Sequence, residues 1–182
     1  GFRERVPVVL RLDLRDGFPS VFQALTWPAA TAGVRVGAGG CRRVGVSMAD
    51  DSVSLGLTVL GSGSRGNALV VHGPTGGLLL DAGFSARELT DRLEAAGLAA
   101  QRLQGIVISH EHADHVRGLR VFAERYGLPV FANRGTATVL RHRDGRLGPV
   151  HLFAAGAPFD VGPFRLTPFS IPHDAFDPVA FV

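Results

Sequence analysis

Four candidate metal ligands lie within six consecutive positions of the 182-residue chain: His110, His112, Asp114 and His115. The first three alternate along the sequence, so on an extended loop their side chains leave the same side of the backbone. His115 follows immediately and reaches a neighbouring position if the chain turns into a helix there. Imidazole and carboxylate together suit zinc, manganese or iron, whereas calcium prefers oxygen ligands alone. We therefore expect a metal site and not a chance histidine cluster on a solvated loop.

The sequence on either side of these ligands predicts rigid elements that hold them. Residues 105–109 form a short apolar, β-branched run that is typical of a buried strand. Apolar residues then recur at helical spacing as Val116, Leu119 and Phe122, until Gly127 ends the pattern. The ligands therefore lie on a strand-to-helix loop at the carboxyl end of the strand.

Upstream of this loop, alternating strands and turns predict a β-meander. Strands are expected over residues 57–60, 68–72 and 78–81, with a glycine-rich loop at 61–67 between the first two. That loop lacks the Lys-Ser/Thr ending of a phosphate-binding P-loop and returns to a strand, so we do not expect it to bind a nucleotide.

A helix follows, with Ser85 as its N-cap, Glu88 reaching back to complete a capping box, and Gly97 as its end. Downstream of the ligand loop, strands are predicted at 129–132 and 150–153, with a helix from about Gly135 between them.

The last part of the chain alternates as far as Ile171, where Pro168 indicates an edge or bulged strand. The remaining histidines, His72, His142 and His151, have no ligand partners nearby in sequence, so we expect none of them to bind a metal.

Composition limits the protein class but not the substrate. The net charge of +3 suggests a polyanionic partner, but residues 1–47 hold seven arginines against three acids, and the remainder is net −1. No apolar run reaches the roughly 20 residues that span a bilayer, so no membrane partner is expected. The single cysteine, Cys41, precludes an internal disulfide and agrees with a cytoplasmic location.

Residues 1–47 differ in character from the rest of the chain. No sustained helical or strand period is apparent there, and the sole methionine is Met48. A secretory signal is disfavoured because Asp13, Asp16 and Pro19 interrupt any hydrophobic region. We therefore expect residues 1–47 to be a non-native or disordered extension and residues 48–182 to form the domain.

The motifs together resemble the metallo-β-lactamase-fold hydrolase superfamily. The resemblance rests on Leu-Leu-Leu-Asp-Ala-Gly at 78–83 and on His-Glu-His-Ala-Asp-His at 110–115. Within the superfamily, the glycine-rich loop at 61–67 and the segment at 173–179 look like the YycJ/WalJ-like branch. The resemblance covers about residues 57–182 and implies an α/β fold, a four-layered αβ/βα sandwich with a two-metal site at its edge.

The resemblance also implies roles for particular residues. His110, His112 and His173 would bind one metal, although a histidine such as His173, taken alone, is more often a core or surface residue. Asp174 is a turn or capping residue that is also placed to orient His173.

Asp114 and His115 would belong to the second metal, with Asp114 as the catalytic carboxylate that helps to seat the attacking water. Asp81 would support the ligand loop from outside the ligand set, as outer carboxylates do.

Two departures from the branch pattern shape the functional expectation. Ala180 stands where the branch usually has glycine, and a later bridging aspartate and final histidine have no counterpart by Val182. We therefore expect a fragment whose C-terminal half is missing.

The expected function is a metal-dependent hydrolase, a phosphodiesterase or exonuclease acting on DNA or RNA through a metal-activated water. Its cofactors would be two divalent ions, zinc or manganese in preference to iron. The alternatives are a truncated, non-catalytic metal-binding fragment, or a thioester or other ester hydrolase on the same fold. Flavin-linked oxygen reduction, with iron in the site, is a further alternative.

Overall fold

A mixed eight-stranded sheet organises the protein in the computed structural model, which describes residues 30–36, 42–48, 54–143 and 147–182. The strands lie in the sheet in chain order: β1 (Ala30–Val36), β2 (Arg42–Met48), β3 (Ser54–Gly61), β4 (Ala68–Gly73), β5 (Gly76–Leu80), β6 (Leu103–Val107), β7 (Val130–Asn133) and β8 (Val150–Phe153). Neighbours from β1 to β5 are antiparallel, and those from β5 to β8 are parallel. The change follows the connections, because parallel pairs need a helical crossover whereas short turns join antiparallel ones.

The helices of the crossovers are α1 (Ala86–Ala95), α2 (Ala113–Val116), α3 (Leu119–Tyr126) and α4 (Arg134–Arg143). The Ser85 hydroxyl accepts a hydrogen bond from the Glu88 backbone N–H at 3.2 Å, which confirms the predicted N-cap of α1. The Glu88 carboxylate accepts instead from Arg92 one turn later, at 2.8 Å, so the reciprocal half of the predicted capping box is replaced by an ion pair. None of the helices in the described ranges is long and apolar enough to cross a bilayer.

The large sheet buries both of its faces, which explains the near-continuous apolar runs of β5 and β6. Adjacent residues of a strand point to opposite faces, and Leu79 and Ile106 belong to the cluster that packs under α1, α3 and α4. Their neighbours Leu78 and Val107 belong to a second cluster on the other face. Of the four-layered sandwich that was predicted, the described residues thus form one helix layer and one large sheet.

Two small hairpins cover the second face. They are built from β9 (Phe159–Val161) with β10 (Phe164–Leu166), and from β11 (Pro168–Ser170) with β12 (Val179–Phe181). The second cluster includes Phe164 and Val179 from these strands. Pro168 lies in a two-stranded sheet, which agrees with the predicted edge position.

Part of the segment 1–47 differs from the sequence-based expectation. No strand was predicted there, yet β1 and β2 pair with each other and β2 pairs with β3. Gly33, Gly45 and several arginines interrupt the hydrophobic alternation, so the order of these strands comes from pairing and not from a local pattern. Residues 1–29 and 37–41 lie outside the described residues, and the domain boundary at Met48 stays a prediction.

Candidate metal centre

Three histidines from two distant segments meet at the carboxyl end of β6. The ligand atoms of His110, His112 and His173 all lie within 4.8 Å of one another. The ring centroid of His110 lies 4.7 Å from that of His112 and 4.7 Å from that of His173. A tetrahedral zinc with Zn–N bonds of about 2.0–2.1 Å holds its ligand atoms roughly 3.4 Å apart, so small ring rotations bring the three imidazoles onto one ion.

In His110 and His173 the Nδ1 atom has a polar neighbour, which leaves Nε2 for a metal. Nδ1 of His110 lies 2.9 Å from the Ser109 hydroxyl, and Nδ1 of His173 lies 3.0 Å from the Asp174 carboxylate. Nε2 of His110 is buried without a hydrogen-bond partner among the described residues. Such a buried atom costs about 1–3 kcal/mol if it stays unpaired. The donor set therefore fits a divalent ion.

Electrostatics keep His110 in the form that binds metals. Burial, and then the nearby His115, lower the pKa of His110 from 6.5 to about 4. The ring is therefore neutral at pH 7, and a neutral imidazole is the metal-binding form.

Asp114 and His115 form a second pair of candidate ligands beside the three histidines. Asp114 Oδ2 lies 3.7 Å from His115 Nε2, and the rings of His115 and His110 are 3.9 Å apart. Asp114 does not lie on an extended loop as the alternation predicted, because helix α2 begins at Ala113. Because the chain turns into this helix, the His115 ring lies beside the Asp114 carboxylate. This position of His115 was the one expected if the loop became helical.

Asp81 holds the ligand loop from the end of β5. Its Oδ1 accepts from the Ser109 backbone N–H at 2.9 Å, and its Oδ2 lies 2.8 Å from His115 Nδ1. With Nδ1 of His115 engaged by the carboxylate, Nε2 is the ring nitrogen that faces Asp114. Burial lowers the pKa of His115, but the hydrogen bond and charge of Asp81, with the charge of Asp114, outweigh burial and raise it above 6.5. This contact supports the role of Asp81 outside the ligand set, which stays a prediction.

Asn67 is a site residue that the sequence analysis missed. Its Nδ2 lies 3.0 Å from Asp114 Oδ2 and 3.1 Å from His115 Nε2. Its Oδ1 accepts from the Gly63 backbone N–H at 2.8 Å, which fixes the orientation of the amide. The sequence feature that could have indicated Asn67 is its position, because it is a polar residue directly before β4, at the end of the glycine-rich loop.

Backbone contacts hold the loop after Asp81 against the metal-ligand segment. The Ala82 N–H donates to the His115 carbonyl at 2.7 Å, and the Asn67 N–H donates to the Asp114 carbonyl at 2.7 Å. At Gly83 a Cβ atom would collide with the Asp114 carbonyl, so this approach requires glycine.

The other histidines have local environments without a ligand set. His72 Nε2 lies 3.0 Å from the Thr58 hydroxyl, and the His151 ring stacks on Phe131 at 4.9 Å. His142 is exposed on α4. The metal-binding group found among the described residues contains none of these three.

Comparisons with known proteins agree with this geometry. The family model of the metallo-beta-lactamase superfamily matches residues 61–179. The chain is 35% identical over 131 residues to exodeoxyribonuclease YycJ of Bacillus anthracis, a match that covers 71% of this chain and 50% of that protein. It is 33% identical over 126 residues to exodeoxyribonuclease WalJ of Streptococcus pneumoniae, covering 66% and 46%. The chain thus spans about half the length of the curated relatives it matches.

Solved structures show the same fold. The Rm3 metallo-beta-lactamase superposes with a TM-score of 0.59 and 26% identity, covering 69% of this chain and 52% of that one.

Proposed function

The chain belongs to the metallo-beta-lactamase superfamily, and from this membership we propose that it is a metal-dependent hydrolase that cleaves the phosphodiester bonds of DNA or RNA. The observation that carries the reaction class is the convergence of His110, His112 and His173, whose ligand atoms lie within 4.8 Å of one another. Three imidazoles with an open side are the ligand number of a catalytic zinc site.

Two divalent ions, zinc or manganese, fit the donor set. One would be held by the three histidines and the other by Asp114 and His115. When bound, such ions lower the pKa of water and neutralise charge on a phosphoryl oxygen. Support for the second position comes from the 3.7 Å between Asp114 Oδ2 and His115 Nε2.

The chain's own residues have separable tasks in this proposal. Asp114 orients the attacking water by accepting a hydrogen bond from it, and the Asn67 amide holds Asp114 by donating to its Oδ2 at 3.0 Å. Asp81 fixes the ring of His115 through Nδ1. The side chain of His173 is 41% exposed, so the centre is open to a polymeric substrate on this side.

The substrate class rests on the similarity to the two exodeoxyribonucleases, at 35% and 33% identity. The basic charge does not add to this argument, because the net positive charge of the chain derives from residues 1–47. A polynucleotide would be brought to the centre by the metal ions and by local contacts and not by a broad positive field.

The test has two readouts. Chelator-treated protein is dialysed against zinc or manganese and its metal content measured, after which cleavage of end-labelled single- and double-stranded oligonucleotides is followed. We expect bound divalent metal and metal-dependent cleavage in wild type, and loss of cleavage by at least a hundredfold in Asp114→Ala. Metal binding without cleavage of any substrate would instead favour the non-catalytic alternative. Asp91→Ala, on the exposed surface of α1, is the matched control and should leave both unchanged.

Each failure has its own meaning. Protein that binds no divalent ion would contradict the metal centre. Protein that binds metal and hydrolyses a thioester, but no polynucleotide, would contradict the nuclease assignment alone.

A further inference from the structure

His173 joins the other two histidines from a segment with little regular structure of its own. It lies between β11 and β12, in residues 171–178, which are neither helix nor strand. Asp174 contacts the His173 ring, but it belongs to the same segment and its side chain is 83% exposed. A contact inside one segment cannot fix that segment relative to His110 and His112. A residue outside it must do so.

Glu111 makes such a contact. Its Oε1 accepts a hydrogen bond from the Phe176 backbone N–H at 2.8 Å, across 65 residues of sequence. Glu111 is only 9% exposed, and its Oε2 is buried without a hydrogen-bond partner among the described residues. A buried carboxylate is costly unless it is well paired, so its place between two candidate ligands needs an explanation.

The position of Glu111 in the sequence explains its reach. Glu111 lies between His110 and His112 in the sequence, and its side chain leaves this stretch to reach Phe176. Its own carbonyl accepts from Arg143 Nη1 at 2.9 Å, which ties this backbone to the end of α4. One short stretch thus carries two ligands and an acceptor for the His173 segment.

Other contacts hold the same segment farther from His173 along the chain. The Asn133 side-chain amide donates to the Asp177 carbonyl, and the Val179 N–H donates to the Ser109 carbonyl at 3.1 Å. Of these anchors, the one at Phe176 is the nearest in sequence to His173, and it alone involves a carboxylate. A hydrogen bond to an ionised acceptor is roughly twice as strong as one between neutral groups.

We propose that Glu111 is a positioning residue that holds His173 in register with His110 and His112 and so sets the affinity of the metal site they form. The proposal rests on the metal centre proposed above. Residues that support metal ligands from outside typically change metal affinity by about 10–100-fold when substituted. Glu111 would act through His173 and would not touch the metal.

The experiment measures the affinity of the full chain for Zn²⁺ by competition with a chromogenic chelator, and the Co²⁺ absorption spectrum as a report on ligand geometry. Glu111→Ala should weaken the tightest-bound ion by about 10–100-fold and change the Co²⁺ spectrum. Glu111→Gln keeps an oxygen that accepts from Phe176 but loses the charge, so its affinity should lie between those of wild type and Glu111→Ala. Glu124→Ala removes an exposed carboxylate paired with Arg120 on α3 and should change nothing.

A combination with His173→Ala separates positioning from a general effect on folding. If Glu111 acts through His173, Glu111→Ala should add no further loss of affinity once His173 is alanine. An equal loss in both backgrounds, or wild-type affinity in Glu111→Ala, would overturn the proposal.

If Glu111→Ala does not fold, Glu111→Asp takes its place, because it keeps the charge but shortens the reach. Unchanged Zn²⁺ affinity in that variant would also overturn the proposal. Absence of tight Zn²⁺ binding by the wild type would instead refute the metal centre itself.

Discussion

The Oδ2 atom of Asp81 lies 2.8 Å from Nδ1 of His115, and both residues are buried. This contact joins the end of β5 to the one-turn helix α2. Asp81 adopts a φ of 61°, which is uncommon for a residue other than glycine. Backbone strain of this kind persists where surrounding contacts enforce it and is concentrated at functional sites.

Removal of the Asp81 carboxylate should therefore affect both the fold and the metal. Asp81→Ala leaves the Ser109 N–H and His115 Nδ1 without their acceptor, so we expect the free energy of unfolding to fall by about 2–4 kcal/mol. Metal affinity at the position of Asp114 and His115 should fall about tenfold or more. Urea denaturation and Zn²⁺ titration measure the two effects. A loss below 0.5 kcal/mol, the size expected for an exposed change, would contradict this role.

Asn67 should control the second metal position. Asn67→Ala removes the amide donor that lies 3.0 Å from Asp114 Oδ2 and 3.1 Å from His115 Nε2, the two atoms that would bind the second ion. The chelator-treated variant should therefore melt at a lower temperature than wild type, and Zn²⁺ should restore its stability, because the ion takes the place of the lost donor. Asn67→Asp places a second carboxylate against Asp114, so the chelator-treated protein should melt at a lower temperature and recover stability when Zn²⁺ is added. Equal melting temperatures for wild type and both variants, with and without Zn²⁺, would refute the prediction.

Two histidine variants test the choice of ligands. His112→Ala should lower the bound metal per chain, since His112 belongs to the cluster whose ligand atoms lie within 4.8 Å of one another. His142→Ala should leave metal content unchanged, because His142 is exposed on α4 and lies outside that cluster. Elemental analysis of the two purified variants measures the metal content, and equal metal content would contradict the assignment of His112 as a ligand.

Gly83 should not tolerate a side chain. Gly83→Ala drives a methyl group into the Asp114 carbonyl, and we expect a destabilisation of about 1–3 kcal/mol together with weaker metal binding. The matched control is Gly148→Ala, because a Cβ atom there meets nothing within 4 Å. Thermal denaturation of the two variants should separate them clearly, and similar midpoints would show that the loop relaxes around the new methyl.

The pKa of His110 predicts an acid-labile fold in chelator-treated protein. Burial and His115 lower this pKa to about 4, whereas the unfolded chain has the ordinary value of 6.5. Between these values the unfolded state binds the additional proton, so stability should fall as the pH drops from 6.5 towards 4. His115, whose pKa is raised, contributes in the opposite sense and loses its contribution only as the pH rises above 6.5. His110→Asn should flatten the acid side of a plot of stability against pH, and an unaltered slope would contradict the prediction.

Local patterns in the sequence were sufficient to predict the strand before the ligand loop, the helices on either side of it and the N-cap at Ser85. They were also sufficient for the grouping of His110, His112 and His115, because these ligands are close in sequence. His173 entered only through family resemblance, since no local pattern shows which distant histidine folds back onto the loop.

Asn67 and Glu111 could not be identified in this way. Their contacts cross 47 and 65 residues of sequence, and the local sequence does not show which distant segment a side chain will contact. Strands β1 and β2 were missed for a similar reason, because pairing with β3 and not hydrophobic alternation gives them order.

The proximity of His173 to His110 and His112 has a consequence for the folding of the chain. An ion bound to all three would close a loop of about 60 residues, much as a disulfide does, and in the chain-entropy model such a link is worth roughly 4 kcal/mol. The enclosed segment contains β7 and β8, the last two strands of the large sheet, and the helices α3 and α4. An ion that stays bound would therefore disfavour the unfolded chain, and an ion that dissociates on unfolding would stabilise the folded state by an amount that rises with the free metal concentration.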